Sequence, residues 1–348
     1  MLVALVVALV AVLSTVLAGL ADGLVADGTS GVRALPFSHL AMEPNSKAVF
    51  SRSTLHPEAV ETWRQVPGAQ ATPVGVSFAN GASVNGGPSI DLALFGLERD
   101  SFLATRPEAL VALDGAPGMV LAAELQDQGV KVGDRYRIGA SDVVLPVLGF
   151  TYAGSYGHVP LAFTSLVTWQ SIQYGSDARG RFSAIALNLP EGADVSAVNN
   201  SAGTEIMTKN ESYAGSPGFS AETSTMSLIR VFLLAISALI VGAFFTVLTV
   251  QRTRQIGLLK ALGASSGYVL RDGLGQMTIV VVAATAVGCA AGAAITTLLG
   301  GGSVPITLSV ATVVTSAALL IVTGIVGSLV PFRRITAIEP AIALGVEA

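Results

Sequence analysis

The chain alternates between two textures. Long stretches run almost without a charged side chain, while the region between the first two is broken by Pro, Gly, Asn and Asp. Residues 1–21 carry no charge and are apolar apart from Ser14 and Thr15. Three more such runs lie at 228–250, 276–299 and 307–330. Each is long enough to cross a hydrocarbon core of roughly 30 Å. The pattern predicts an α-helical membrane protein: four transmembrane helices, with an extracytoplasmic α+β domain inserted between helices 1 and 2. The expected divisions are helix 1 at 1–25, the domain at 26–221, helix 2 at 222–250, a cytoplasmic coupling segment at 251–275, helix 3 at 276–300, helix 4 at 306–331 and a cytoplasmic tail at 332–348.

The first run has a competing reading as a signal peptide, which needs a basic n-region and a short apolar core. No Lys or Arg precedes Arg33, and the run is too long, so a retained helix is favoured. Gly19 and Gly23 would allow close helix approach, or are simply tolerated. Gly288, Ala290, Gly292 and Ala294 give helix 3 a small-residue face. In the inserted region, β-branched and alternating runs predict strands at 72–78, 90–96, 135–138, 143–150 and 182–188. Helices are expected at 57–65, 121–128, 165–174 and 195–209. Gly133-Asp134 reads as a turn.

Composition sharpens the class. The chain is 51% hydrophobic and only 12% charged, against about 25% charged in soluble domains. Between Asp27 and Glu222 there are 12 Lys/Arg and 19 Asp/Glu. The loop after helix 2 holds Arg252, Arg254, Lys260 and Arg271 against Asp272, and the tail holds Arg333 and Arg334. The positive-inside rule places that loop and both termini in the cytoplasm and the domain outside the cytoplasmic membrane. Lys and Arg form no long run, so no nucleic-acid surface is expected. Cys289, the single cysteine, reads as a small core residue.

The sequence has no P-loop to cradle phosphates, so the chain is not expected to hydrolyse ATP itself. His39, His56 and His158 form no zinc-ligand spacing and read as surface or packing residues. No nucleophile elbow is present. Mid-helix charges that would mark an ion-coupled carrier are missing; Arg230 stands near the start of helix 2. Residues 252–271 read as an amphipathic helix and a docking surface for a cytoplasmic partner, with Arg254, Ile256, Leu259, Lys260 and Leu262 in contact. The alternative is a solvated loop with snorkelling basic side chains.

The segment R-T-R-Q-I-G-L-L-K-A-L-G-A-S-S resembles the coupling segment of FtsX/MacB-type permeases of ABC transporters. The tail P-F-R-R-I-T-A-I-E-P-A-I-A-L is similar to that family's C-terminal signature, and V-L-A-A-E-L-Q-D-Q-G-V-K-V-G-D-R-Y-R-I to its outer domain. A-G-L-A-D-G-L, T-S-G-V-R-A-L-P and G-F-S-A-E-T resemble the haem-efflux branch. Two departures stand out: Gln255 where the family often has Glu, and no counterpart to the amphipathic helix usual before the first span. The resemblance implies a homodimeric permease, without a cofactor of its own, that exports haem from the membrane lipid. ATP and Mg would be bound by two copies of a partner ATPase. Alternatives are an FtsX-like signalling scaffold that activates a cell-wall hydrolase, and a permease exporting lipoproteins or peptides.

On that resemblance, Glu222 is the expected ligand of haem iron, for which an anionic oxygen is suited. Phe219, Met226 and Phe232 would pack on the porphyrin, Arg230 would pair with a propionate, and Leu20, Leu24 and Val25 would form side walls. Tyr213 is the second oxygen candidate and Tyr156 the third. The competing reading makes Glu222 a helix N-terminal acid stabilised by the dipole.

Overall fold

The computed structural model describes residues 2–114, 116–193, 195–251, 255, 257–259, 262–300 and 305–336. The chain divides into two compact units: Val25–Ser220, and Met1–Leu24 together with Ala221–Ala348. The first is a sheet domain and the second a bundle of helices.

The elements of the chain up to Ser212 are α1 (Leu2–Ala34), β1 (His39–Met42), α2 (Pro57–Arg64), β2 (Gln70–Ser83), β3 (Ile90–Leu97), α3 (Pro107–Leu113), β4 (Met119–Ala122), α4 (Glu124–Asp127), β5 (Arg135–Ile138), β6 (Val144–Thr151), β7 (Ser155–Tyr156), β8 (Val159–Ser165), α5 (Leu166–Tyr174), β9 (Ala184–Asn188), α6 (Ser196–Ala202), β10 (Glu205–Thr208) and α7 (Lys209–Ser212). Three long helices follow: α8 (Phe219–Gln251), α9 (Ser266–Leu299) and α10 (Val310–Thr336).

The sheet order is β10-β1-β9-β2-β3-β8-β4-β6-β5, and β5 returns to pair with β2. The long strand β2 makes this possible. Its Gln70–Val74 half pairs with β9, and Gly81–Ser83 pairs with β5 on the same side. Strands β2, β3, β8, β4, β6 and β5 therefore close into a ring, so β5 is no longer an edge strand. Both faces of the sheet are buried. On β3, Leu92 and Leu94 enter one core with Trp63, Trp169 and Tyr136, while Ala93 and Phe95 enter the other with Phe50, Tyr156 and Tyr213. Burial on both faces explains why β3 from Leu92 onward reads as a continuous apolar run. The end of α1 contributes Val32 and Leu35 to the second core.

Two glycines position one of the largest core residues. Gly75 and Gly96 pair across β2 and β3. A Cβ on either would lie 2.3 or 2.4 Å from Trp169, so the indole lies flat on bare backbone. Its Nε1 donates to Ser77 Oγ at 2.9 Å. Helix α5, which carries Trp169, is started by Ser165, whose Oγ accepts from Thr168 N at 3.1 Å.

Several expected elements differ. The helix expected at 195–209 stops at Ala202, where Gly203 takes a left-handed conformation (φ 62°). Residues Glu205–Thr208 then form β10, held by pairing with β1. The helix expected at 121–128 is shortened to α4, because Leu121 and Ala122 belong to β4, which lies between β8 and β6. Strands β1 and β8 and helix α3 fall where no element is expected. Helix α1 runs on to Ala34, and α9 starts at Ser266 because Ser265 caps it through Tyr268 N.

Four helical stretches are long and apolar enough to cross a membrane: Val3–Ala34, Phe219–Val247, Arg271–Leu299 and Val310–Gly327. Their contacts use small residues. A Cβ on Gly288 would lie 2.3 Å from the Ala8 carbonyl of α1, and one on Gly292 would lie 2.8 Å from Thr15. Gly327 of α10 lies as tightly on the Ala238 backbone of α8. Val3, Val7, Val241, Phe245, Met277, Val281 and Ala284 form the core of this unit.

Candidate substrate site

Helix α8 begins just after Gly218, whose φ of 86° turns the chain into it. Glu222 lies in its first turn. Glu222, Met226 and Arg230 are each half-buried, while Thr223, Ser224, Leu228 and Ile229 are exposed. At 100° per residue the three fall within an arc of about 80°. The same stripe continues into Leu234, Ser237 and Val241, which pack in the bundle. One helix face thus carries a carboxylate, a thioether and a guanidinium in succession. Phe219 shares this arc by helical geometry. Phe232 does not: it is exposed, about 160° round from Arg230.

On α1, Leu20 and Leu24 are half-buried and one turn apart. Their stretch of helix is stitched to the segment leading into α10. Thr307 N donates to Gly19 O at 3.1 Å. A Cβ on Gly23 would lie 2.0 Å from the Pro305 carbonyl. Thr312 Oγ1 donates to Asp22 Oδ2. Sequence reasoning passed over Asp22. Its signal was an acid directly after a membrane-length apolar run, a position that is costly without a partner.

The tyrosines fall elsewhere. Tyr213 is buried in a core of the sheet domain, with the Arg33 guanidinium 5.2 Å from its ring centroid. Phe219 packs against the same core. Tyr156 is 1% exposed and wedged among Phe50, Phe78 and Phe95. Burial pushes its phenol well above the ordinary range, which disfavours an anionic oxygen ligand there.

A polar knot was also missed. His158 Nδ1 lies 2.8 Å from Asp27 Oδ2, and Ser155 Oγ donates to the other carboxylate oxygen at 3.3 Å. Ser155 N donates to Ser30 Oγ at 2.8 Å, and Ser216 Oγ to Gly28 O at 2.7 Å. These bonds tie the β7–β8 hairpin to α1 and hold His158 at φ 62°, a left-handed conformation a histidine does not favour. Burial and then the charge of Asp27 push the Glu124 carboxyl upward. No spacing in the sequence joins residues 27 and 158.

Past α8, Leu258, Leu259 and Leu262 are exposed, Leu262 at 77%. Leu262 N donates to Leu258 O at 3.0 Å, and Gly263 at φ 96° ends the turn. Arg254, Ile256 and Lys260 lie outside the described residues.

The chain thus carries four membrane-length helices and a sheet domain. Residues 227–340 match the family described as FtsX-like permease C-terminal. The chain is 22% identical over 345 residues to the hemin transport system permease protein HrtB of Staphylococcus haemolyticus, covering 94% of this chain and 90% of that one. It is 21% identical over 225 residues to HrtB of Staphylococcus epidermidis, where 64% of this chain spans 61% of the relative. Among solved structures, the extracellular domain of the noncanonic ABC-type transporter YknZ from Gram-positive bacteria is similar at a TM-score of 0.34 and 10% identity, covering 49% of this chain and 98% of that one.

Proposed function

We propose that this permease exports haem from the membrane as a homodimer driven by two copies of a separate ATPase, which supply the ATP and Mg sites. The observation that carries the reading is the half-buried stripe of Glu222, Met226 and Arg230 on α8. It occurs in a chain similar along 94% of its length to a hemin transport permease. Ferric iron is a hard cation, and the Glu222 carboxylate offers it an anionic oxygen. Arg230, two turns on, pairs with a propionate, and a guanidinium suits a carboxylate bidentately. Met226 lies between them against the porphyrin, with Phe219 on the same arc. Leu20 and Leu24 are the side walls. Phe232, on the opposite side of α8, reaches the haem only from the second protomer. Tyr213 and Tyr156 serve the core of the sheet domain instead.

Charge sets the orientation, with the sheet domain outside and both termini in the cytoplasm. Exposed Leu259 and Leu262 seat in an ATPase groove, with Ile256 beside them and Arg254 and Lys260 at the rim. Buried apolar anchors dominate such contacts. Leu259→Asp should therefore abolish co-purification of the ATPase; retention of the ATPase would remove this segment from the docking surface.

The substrate is tested by colour. Purified from haem-fed cells, the permease should show a Soret band that Glu222→Ala and Glu222→Gln lose while remaining dimeric. A colourless wild-type protein would overturn the haem reading. A coloured Glu222→Ala variant with unchanged haem tolerance would reduce Glu222 to a helix N-terminal acid.

A further inference from the structure

The sheet domain contains a cleft that the transport reading does not use. It has a volume of about 550 Å³, within the range of small-molecule sites. Its walls include Phe50, Thr54, Ser77, Phe78, Tyr156 and Gln173, and among the described residues no charged one lines it. That is unusual here, because the region between Asp27 and Glu222 carries 12 Lys/Arg and 19 Asp/Glu. Phe78 is 47% exposed, yet its ring is held flat by stacking on Tyr156, with centroids 5.7 Å apart and planes 13° apart. Exposing that much of an aromatic ring on β2 costs solvation that a ligand would recover.

Hydrogen-bonding groups surround this ring. Among the described residues, the side chains of Thr54 and Gln173 make no hydrogen bond to protein. Ser77 Oγ accepts from Trp169 and keeps its own proton for an acceptor. A second cleft of about 700 Å³ shares Ser77, Phe78 and Gln173 with the first and includes Asn80, Ser141 and Asp142. The two adjoin at Phe78, which lines both, and together make a trough with an aromatic platform.

We propose that this trough binds a linear, uncharged saccharide, one ring lying on Phe78. The electron-rich face of an aromatic ring attracts the weakly positive C–H face of a sugar. Hydroxyl and amide side chains at the rim exchange hydrogen bonds with sugar hydroxyls without the desolvation cost of a charge. A flat aromatic ligand would leave those polar groups unused, and a charged one would find no counter-ion in the first cleft. Two adjoining clefts suit several linked rings better than a single compact ligand.

The test uses the full chain in lipid nanodiscs free of glycoside detergent, with chitotriose and cellotriose as probes in calorimetric titrations. Saturable binding is expected for at least one of them. Phe78→Ala should weaken it about tenfold, the scale of a lost ring contact. Phe78→Trp, which restores a platform, should retain it, and Gln173→Ala should weaken it less than Phe78→Ala. Phe78→Ala also uncovers the buried Tyr156 ring, and Phe78→Trp, which keeps a ring over it, separates lost binding from lost packing. Failure of both probes to saturate at millimolar concentration, or binding indifferent to Phe78→Ala, would overturn the proposal. So would anilinonaphthalene sulfonate seated in the trough and not displaced by either oligosaccharide, since that marks a plain apolar groove.

Discussion

The two units solve the packing problem in opposite ways. The sheet domain hides its largest side chains: Trp63, Trp169, Tyr136 and Tyr156 are fully buried. The helix unit displays them: Leu5, Leu9, Leu298 and Val310 are exposed, Leu298 at 84%. Its tightest contacts are made by glycine against backbone, Gly23 on Pro305, Gly288 on Ala8 and Gly327 on Ala238. In water, burying a large apolar side chain is the main source of stability. In lipid that driving force vanishes between helices, and close approach of backbones takes its place. Glycine serves both units for different ends. Gly75 and Gly96 make room for an indole, whereas Gly288 makes room for another helix.

That contrast can be broken at its strongest point first. Trp169→Ala should cost the sheet domain about 3–5 kcal/mol, the usual toll of a large aromatic lost from a core. Amide hydrogen exchange of β2 and β3 in the full chain would report it, and unchanged protection there would sink the account of Trp169 as a keystone. Next, Gly288→Leu should separate α1 from α9 at a cost of about 1–3 kcal/mol. It should appear as faster exchange in α1 and a lower melting temperature in detergent. Leu298→Ala is the control. It removes a larger exposed side chain, yet should change stability by no more than about 0.5 kcal/mol. Equal effects from Gly288→Leu and Leu298→Ala would contradict small-residue packing in this unit.

The smallest expected effect is electrostatic and confined to the sheet domain. Glu124 is partly buried, and desolvation first, then Asp27, raise its carboxyl above 4.5. The folded domain therefore holds that proton more tightly than the unfolded chain. Its contribution favours folding below 4.5 and turns against it as pH rises through the raised value. Glu124→Gln should raise the unfolding midpoint at neutral pH, with the gain shrinking toward pH 4.5. A gain constant with pH would assign it to packing instead.

The elements most legible in sequence were those with a local cause. Four membrane-length runs announce themselves by hydropathy, and they match long helices. Strands β3, β5 and β6 were placed close to their bounds because β-branched runs end at turn residues. For the candidate site, helical periodicity alone puts Glu222, Met226 and Arg230 on one face. Residues 195–209 were harder. Their helical pattern is real as far as Ala202, but pairing with β1, more than 160 residues away, claims Glu205–Thr208 for the sheet. Met119–Ala122 is buried on both faces of the sheet, so its four apolar residues carry no alternation to tell strand from helix.

The sequence by itself determined the membrane-length helices of this protein, its charge asymmetry and the residue types available at the head of α8. These follow from hydropathy and from periods of a few residues. Tertiary structure alone decided that β5 returns to β2, that Trp169 rests on Gly75 and Gly96, and that His158 meets Asp27. It alone decided that Tyr213 and Tyr156 belong to a core and that Phe78 stands between two clefts. Each of these joins residues far apart in the chain. Such contacts follow from closing long loops around a shared core, and neither the cost of that closure nor the fit that repays it is written in any local pattern.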